Sequence, residues 1–366
     1  MLHFRPVFSR FFIGFTFVVA IGVLSSLGEK SQALSAERRS YTKPKGWYQI
    51  VEAARQEGKV VIYGPRQLGF RPILGKAFNK TYPKIKLFGN YSMGRAKTHR
   101  ILAERRANYF IPDILIGGPS SALSDLKPAG ALAPIRPHLL LPEVLDESAW
   151  LGKRLSWVDA NPPHTVLAFV GYVNIIATFN TNLVKPDQIK SFYDLLNPKW
   201  KGKIVARDVR RPGPGSSSVR FIYNHPNLGP PFLERLFSEM DLTLSSNQRQ
   251  MMDWLARGRF QMAFFLPSGD IIRAQEQGLP VAPVPMTQFK EGVAITAGGG
   301  AVSIMDRAPH PNAATVFLNW FLSREGQAAW QRAVPLPSRR TDISKSEMNP
   351  FTLLKPGIDF MDMEKE

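Results

Sequence analysis

The sequence predicts an α/β protein built as two lobes. Short apolar strands alternate with helix-periodic segments in two successive series, the pattern of sheets flanked by helices. After an N-terminal leader about 330 residues remain, more than one core usually holds. The chain has 0 cysteines, so no disulfide framework and no thiol chemistry are available, and the lobes must rest on packed cores.

The leader comes first. Arg5 and Arg10 precede an apolar run from Phe11 to Leu27, followed by the small-x-small sites Ser31-Gln32-Ala33 and Leu34-Ser35-Ala36. These are the parts of a secretory signal peptide, assigned to residues 1–36. Gly14, Thr16, Gly22, Ser25 and Ser26 weaken the run as a permanent span, and an uncleaved anchor is the alternative. No cysteine follows to take a lipid. Export is expected.

Trp47, Ile50, Val51 and Ala54 then mark one face of a helix that Gly58 stops. Val60–Tyr63 reads as a buried strand, Ile73, Leu74, Ala77 and Phe78 as a helix, and Ile85–Phe88 as the next strand. A loop from Asn90 to Arg95 leads to a helix around Ile101, Leu102 and Arg105, and the strand Asp113–Ile116 turns at Gly117-Gly118-Pro119 into Ser120-Ser121 at a helix start. This βαβαβα order argues for an open, mainly parallel sheet. In such sheets ligands sit beyond the carboxyl ends of the strands. Here that edge comprises Gly64–Gln67, Ser92–Ala96 and Gly117–Ser121. Gly, Pro and Ser are ordinary turn residues, whereas a turn has no need of the guanidinium of Arg66 or Arg95.

An irregular proline-rich stretch from Pro134 to Pro163 reads as surface wrapping, and Val166–Val170 and Val173–Phe179 as long strands. The second series contains a helix around Phe192, Leu195 and Leu196, the strand Ile204–Ala206, a helix after Ser216, and helices at Phe232–Met240 and Met251–Ala256. The strand Phe260–Phe265 then turns at Pro267-Ser268-Gly269-Asp270 into another helix. Val281–Val284, Val293–Thr296 and Ala301–Ile304 supply the last strands, ahead of a helix bearing Val316, Phe317, Trp320 and Phe321 and one capped by Ser323. The last twenty or so residues are polar and read as peripheral.

Within the second series, Ile204–Ala206 runs through Arg207, Arg210 and Arg211 and the turn Pro212-Gly213-Pro214-Gly215 into Ser216-Ser217-Ser218. Strand, glycine loop and helix N-terminus make an anion seat, because free N–H groups and the helix dipole converge on one spot. Nearby arginines add donors shaped for carboxylate or phosphate. A plain helix cap with solvated arginines is the competing reading. The formal net charge of +18 favours anionic partners. Its basic residues are spread along the chain, so no nucleic-acid-binding arm is evident.

Catalytic signatures are missing. The six histidines form no H-x-x-x-H or H-E-x-x-H pattern, so a metalloprotease-type zinc site is not indicated. There is no G-x-S-x-G elbow. Gly89–Ala96 has the glycine spacing of a P-loop without its Lys-Ser/Thr pair, and Gly213-Pro214-Gly215 lacks the third glycine of a dinucleotide fingerprint.

Several phrases, in order, resemble the periplasmic solute-binding proteins of ABC importers, in the ferric-iron-binding-like group with the type II binding-protein fold. They are Glu57–Tyr63, Pro112–Ile116, Leu196–Ile204, Gly299–Ile304, Pro309–Ala314 and Phe317–Gln327. The resemblance implies two α/β lobes with a ligand cleft between them. The first lobe would hold 41–172 and 297–345, the second 180–290, with crossover strands at 173–179 and 293–296 and a peripheral 346–366. It implies a monomeric, non-enzymatic periplasmic protein without a cofactor that delivers its solute to an inner-membrane ABC permease, the lobes closing around it. Iron-binding members use two adjacent tyrosines just after a strand resembling Phe260–Phe265. This chain has Leu266-Pro267-Ser268-Gly269-Asp270 there and no adjacent tyrosines anywhere, so a ferric ion loses its phenolate ligands. Relatives that carry organophosphate, phosphonate or other small anions fit the basic loops better. The expected clamp draws Arg66, Arg95, Ser120 and Ser121 from the first lobe, and Arg207, Arg210, Ser216, Ser217 and Ser268 from the second. Ferric iron with a synergistic anion, or an exported enzyme or polyanion-binding protein, are the alternatives.

Overall fold

The computed structural model describes residues 41–66, 70–92, 95–210 and 214–364. The leader at 1–36 lies outside the described residues, as do Gln67, Met93-Gly94 and Arg211–Gly213 of the expected loops. Residues Lys43–Glu366 form one unit. Its strands are β1 (Lys59–Pro65), β2 (Lys86–Ser92), β3 (Ile114–Gly117), β4 (Leu132–Ala133), β5 (Ser156–Trp157), β6 (Leu167–Ala168), β7 (Tyr172–Val173) and β8 (Ala177–Asn180). They continue with β9 (Ile204–Arg207), β10 (Thr243–Ser245), β11 (Met262–Phe264), β12 (Val281–Pro283), β13 (Val293–Thr296), β14 (Ala301–Met305) and β15 (Phe360–Asp362).

The first sheet runs β2-β1-β3-β14-β6-β5, with β4 beside β14, and the second runs β10-β9-β11-β8-β12. Each has a parallel run of three strands, and the strands added beyond it are antiparallel. The change of direction follows from chain tracing: β8 and β14 enter their sheets directly from the strands that link the two. Register aligns the functional edges. Pro65 pairs with Ser92 and Gly117 with Ala301, so the carboxyl ends of β1, β2 and β3 share one edge. Ser245 pairs with Arg207 and Phe264 with Ala206, which does the same for the second sheet.

The first core is aromatic. The helix Pro311–Leu322 is buried along almost its whole length, and Trp320 and Phe317 meet Phe78 edge-on at 5.1 and 5.3 Å. The helix Trp47–Glu57 ends at Gly58, which takes the left-handed φ of 71° and donates its N–H to Ala54 O, the αL stop expected of glycine there. Buried Asp113 accepts from Val61 N at 2.7 Å, His310 N at 2.8 Å and His310 Nδ1 at 2.9 Å, and so ties β1 to the start of Pro311–Leu322. Burial pushes its carboxyl up, against the pull of those donors. The second core packs Phe192 against Phe232 and Phe289 beneath the helices Pro214–Asn224 and Gly229–Glu239.

Two expectations need correcting. The stretch 173–179 is two short strands: β7 belongs to a third sheet, β15-β13-β7, while β8 belongs to the second. The segment 346–366 is not peripheral. Its strand β15 pairs in parallel with β13, and Arg339 closes a bidentate pair on Asp362 at 2.5 and 3.0 Å with both side chains buried. Glu364 accepts from Thr296 Oγ1 at 2.7 Å and Ala297 N at 2.9 Å. The polar composition of this segment is therefore matched by buried partners rather than by water.

Candidate functional site

At the first edge, Arg66 is exposed where β1 ends. Arg95 immediately precedes the helix Ala96–Arg106 and commits its guanidinium to Asp125, with the Nε bond at 3.0 Å, while Thr98 Oγ1 donates to the same carboxylate at 2.8 Å. Burial acts upward on Asp125, but the bonds from Arg95, Ser124 and Thr98 prevail and hold its carboxyl below the usual range. Ser120 is exposed, and Ser121 Oγ returns to Gly118 O at 3.0 Å.

The cation that faces the strand ends is one that sequence reasoning missed. Lys97 is only 5 % exposed, donates from Nζ to Ser92 O at 2.9 Å, and passes its Cε against Gly117, where a Cβ would stand 3.3 Å away. Burial pulls its ammonium down. A signal existed: Lys97 stands four residues before buried Ile101, on the inward stripe of its helix.

At the second edge, Arg207 closes β9 with its Cδ lying over Gly215, where a Cβ would meet it at 3.6 Å. Phe265 Cβ lies equally close to that position, so the ends of β9 and β11 and the start of the helix Pro214–Asn224 converge on Gly215. With the Gln248 amide turned to satisfy both its ends, its oxygen accepts from Arg207 Nη2 at 3.1 Å and its nitrogen donates to Asp270 Oδ2 at 3.1 Å. Burial lowers the Arg207 pKa, with Asp270 acting in the opposite direction. Ser216 and Ser217 are half-buried in the first turn of Pro214–Asn224, and Ser268, buried, opens the helix Ser268–Glu276. Arg210 is not part of this group. It closes on its neighbour Asp208 with two bonds of 2.8 Å and is otherwise in solvent.

The chain through β7 runs between residues of the two edges. Tyr172 and Asn174 alternate on one face of the chain running through β7. The Tyr172 hydroxyl lies against Gly298, whose φ is +55°, and Gly298 O faces Gly118 of the first edge. Asn174 Nδ2 donates to Ser218 Oγ at 2.9 Å, in the first turns of Pro214–Asn224. One crossover thus lies against Gly298, whose carbonyl faces the Gly117–Ser121 turn, with the Tyr172 side chain and against the serine-rich helix with Asn174. Burial, reinforced by Glu364, pushes the Tyr172 phenol up to about 12, so this hydroxyl is a neutral donor at physiological pH.

Two α/β sheets linked through β7 and β13, which pair with each other in a third sheet, define a two-lobed binding protein. Residues 63–328 match the bacterial extracellular solute-binding protein family, and this chain belongs to it. Three solved structures share the fold. The iron- and citrate-bound IdiA/FutA of Trichodesmium is 19% identical at a TM-score of 0.62, covering 80% of this chain and 90% of its own. AfuA of Actinobacillus pleuropneumoniae, with exogenous fructose-6-phosphate bound, is 21% identical at 0.59, covering 84% and 92%. Iron-bound HitA of Pseudomonas aeruginosa is 18% identical at 0.56, covering 80% and 89%. Among curated proteins no similar sequence was found. The family is one of extracellular solute-binding proteins, and AfuA is a periplasmic binding protein. Among the described residues no helix is long and apolar enough to cross a membrane.

Proposed function

We propose that this protein binds a small anionic solute, an organophosphate, phosphonate or carboxylate, between its lobes and delivers it to an inner-membrane ABC permease. It reaches the periplasm through the leader at 1–36, acts as a monomer, and releases its solute unchanged. The observation that carries this reading is the convergence on Gly215: a half-buried guanidinium, the ends of β9 and β11 and the start of an eleven-residue helix all meet there. The dipole of a helix start favours negative charge, and Arg207 supplies guanidinium donors beside it. From the other lobe Lys97, Arg66 and the Ser120–Ser121 turn would complete the clamp. Arg95 and Arg210 drop out of it, because each already neutralises a carboxylate.

Ferric iron is disfavoured by donor chemistry. The position that follows β11 offers Ser268, a neutral hydroxyl at a helix start, where an anionic oxygen would be needed. The test is calorimetric titration of the protein with fructose 6-phosphate and with inorganic phosphate. Arg207→Ala is expected to weaken the better of the two by roughly ten- to a hundredfold, the range for a charge-assisted hydrogen bond. Equal affinity in the variant would remove Arg207 from the site.

A further inference from the structure

A second concavity, of about 520 Å³, is lined by none of the residues of the proposed clamp. Its walls come from three places. Arg154 stands just ahead of β5 in the first sheet, Arg220 and Phe221 project from the helix Pro214–Asn224, and Phe360, Met361 and Met363 belong to the C-terminal segment that pairs with β13. The volume falls within the range of small-molecule sites.

Its charge is unbalanced. Arg154 is exposed and has no hydrogen-bond or ion-pair partner among the described residues. Arg220 uses one Nη2 bond, to Met363 O at 3.0 Å, and pairs with no carboxylate among the described residues. Asp362, the acidic residue on the wall, is already closed on both oxygens by Arg339, and Glu364 N adds a bond to Oδ1 at 3.2 Å. Asn224 Nδ2 is bonded to Arg220 O at 2.9 Å, which leaves its carbonyl oxygen as an acceptor. Two guanidiniums therefore face an apolar floor of ring and thioether carbon with no free anion among the described residues to answer them.

We infer that this cavity is a second ligand site, taking a small organic carboxylate with an aromatic or branched apolar body. Each guanidinium fork matches a carboxylate. Phe221, Phe360 and the two methionines receive the body, methionine adapting its shape to the occupant. Because the walls belong to the segment ahead of β5, to the helix Pro214–Asn224 and to the strand beside β13, the occupant contacts all three.

The test uses the full chain labelled at the methionine methyls, followed by NMR during titration with 3-phenylpropanoate, with inorganic phosphate in parallel. The Met361 and Met363 signals, assigned through Met361→Leu and Met363→Leu, should shift and saturate with 3-phenylpropanoate but not with phosphate. Arg154→Glu should weaken this binding at least tenfold, and its exposed position, with no partner among the described residues, leaves folding unaffected. Arg207→Ala should leave it unchanged, which separates this site from the cleft. Unmoved methionine signals, shifts indifferent to Arg154→Glu, or loss of binding in Arg207→Ala would each overturn the inference.

Discussion

At the first sheet's carboxyl edge Arg95 is held by Asp125, and the cation facing the strand ends is the buried Lys97. At the second sheet's edge Arg210 is held by Asp208, and the facing cation is the half-buried Arg207. Each edge thus has one arginine neutralised by a local carboxylate and one cation partly desolvated against glycine. The difference lies in what surrounds that cation. Lys97 is fixed on a backbone carbonyl inside a packed helix face, whereas Arg207 lies over the start of the helix Pro214–Asn224, where β9 and β11 end. A buried ammonium sets the local potential, and a guanidinium over a helix start can also grip an anion directly. The second lobe is therefore the one expected to hold solute in the open state.

The same small change should have opposite consequences at the two edges. Gly300 O accepts from Phe169 N and Val170 N, and a Cβ on Gly300 would stand 2.3 Å from Val170 Cβ. Gly300→Ala is expected to cost at least ~2 kcal/mol in urea denaturation, through overpacking against a fixed strand. At Gly215 the nearest neighbour is a side-chain methyl of Val209 at 3.2 Å, and Arg207 Cδ can give way. Gly215→Ala should change stability by less than about 1 kcal/mol, helped by helix propensity, while weakening solute binding. Matching losses of stability in the two variants would break the comparison.

Lys97→Met should lower affinity for the better phosphate ligand by roughly tenfold without loss of stability, since it removes a charge that burial already disfavours. Calorimetry and thermal melts on one preparation separate the two effects. Glu364→Gln probes the hinge. Burial raises the Glu364 pKa above 4.5, so its neutral form suits the fold, and the destabilisation builds as pH rises above 4.5 and is complete beyond that raised value. The variant should melt higher than the parent at neutral pH, the advantage fading as pH falls toward 4.5 and below. A constant difference across pH would show that Glu364 does not titrate in this range. The smallest effect belongs to Arg95→Ala and Arg210→Ala, whose exposed pairs should leave solute affinity within about twofold. A loss in Arg210→Ala as large as in Arg207→Ala would return that arginine to the clamp.

Much of the architecture was legible because periodicity and punctuation agreed. The stripe of Trp47, Val51 and Ala54 and its stop at Gly58, the apolar run before Tyr63, and the face of Phe317, Trp320 and Phe321 all lie where the pattern places them. What escaped depended on partners distant in sequence. Nothing local to Phe360–Asp362 marks a strand, since its burial comes from Arg339 and from β13. The Arg95 side chain looked available because Asp125 stands thirty residues on and meets it only in the fold. Arg210 was the reverse case: its partner Asp208 was two residues away and visible, and the loop's glycines drew the reading toward an anion seat. Lys97 was hidden by its type, because a lysine in a helix reads first as solvated.

The central claim is that a small anion is held in the cleft by Arg207. Native mass spectrometry of the protein, expressed with its leader and recovered from the exporting cell, tests it most directly. The wild type should carry a phosphate- or carboxylate-bearing mass that is absent from Arg207→Ala. An iron-sized adduct retained by both proteins would contradict the account.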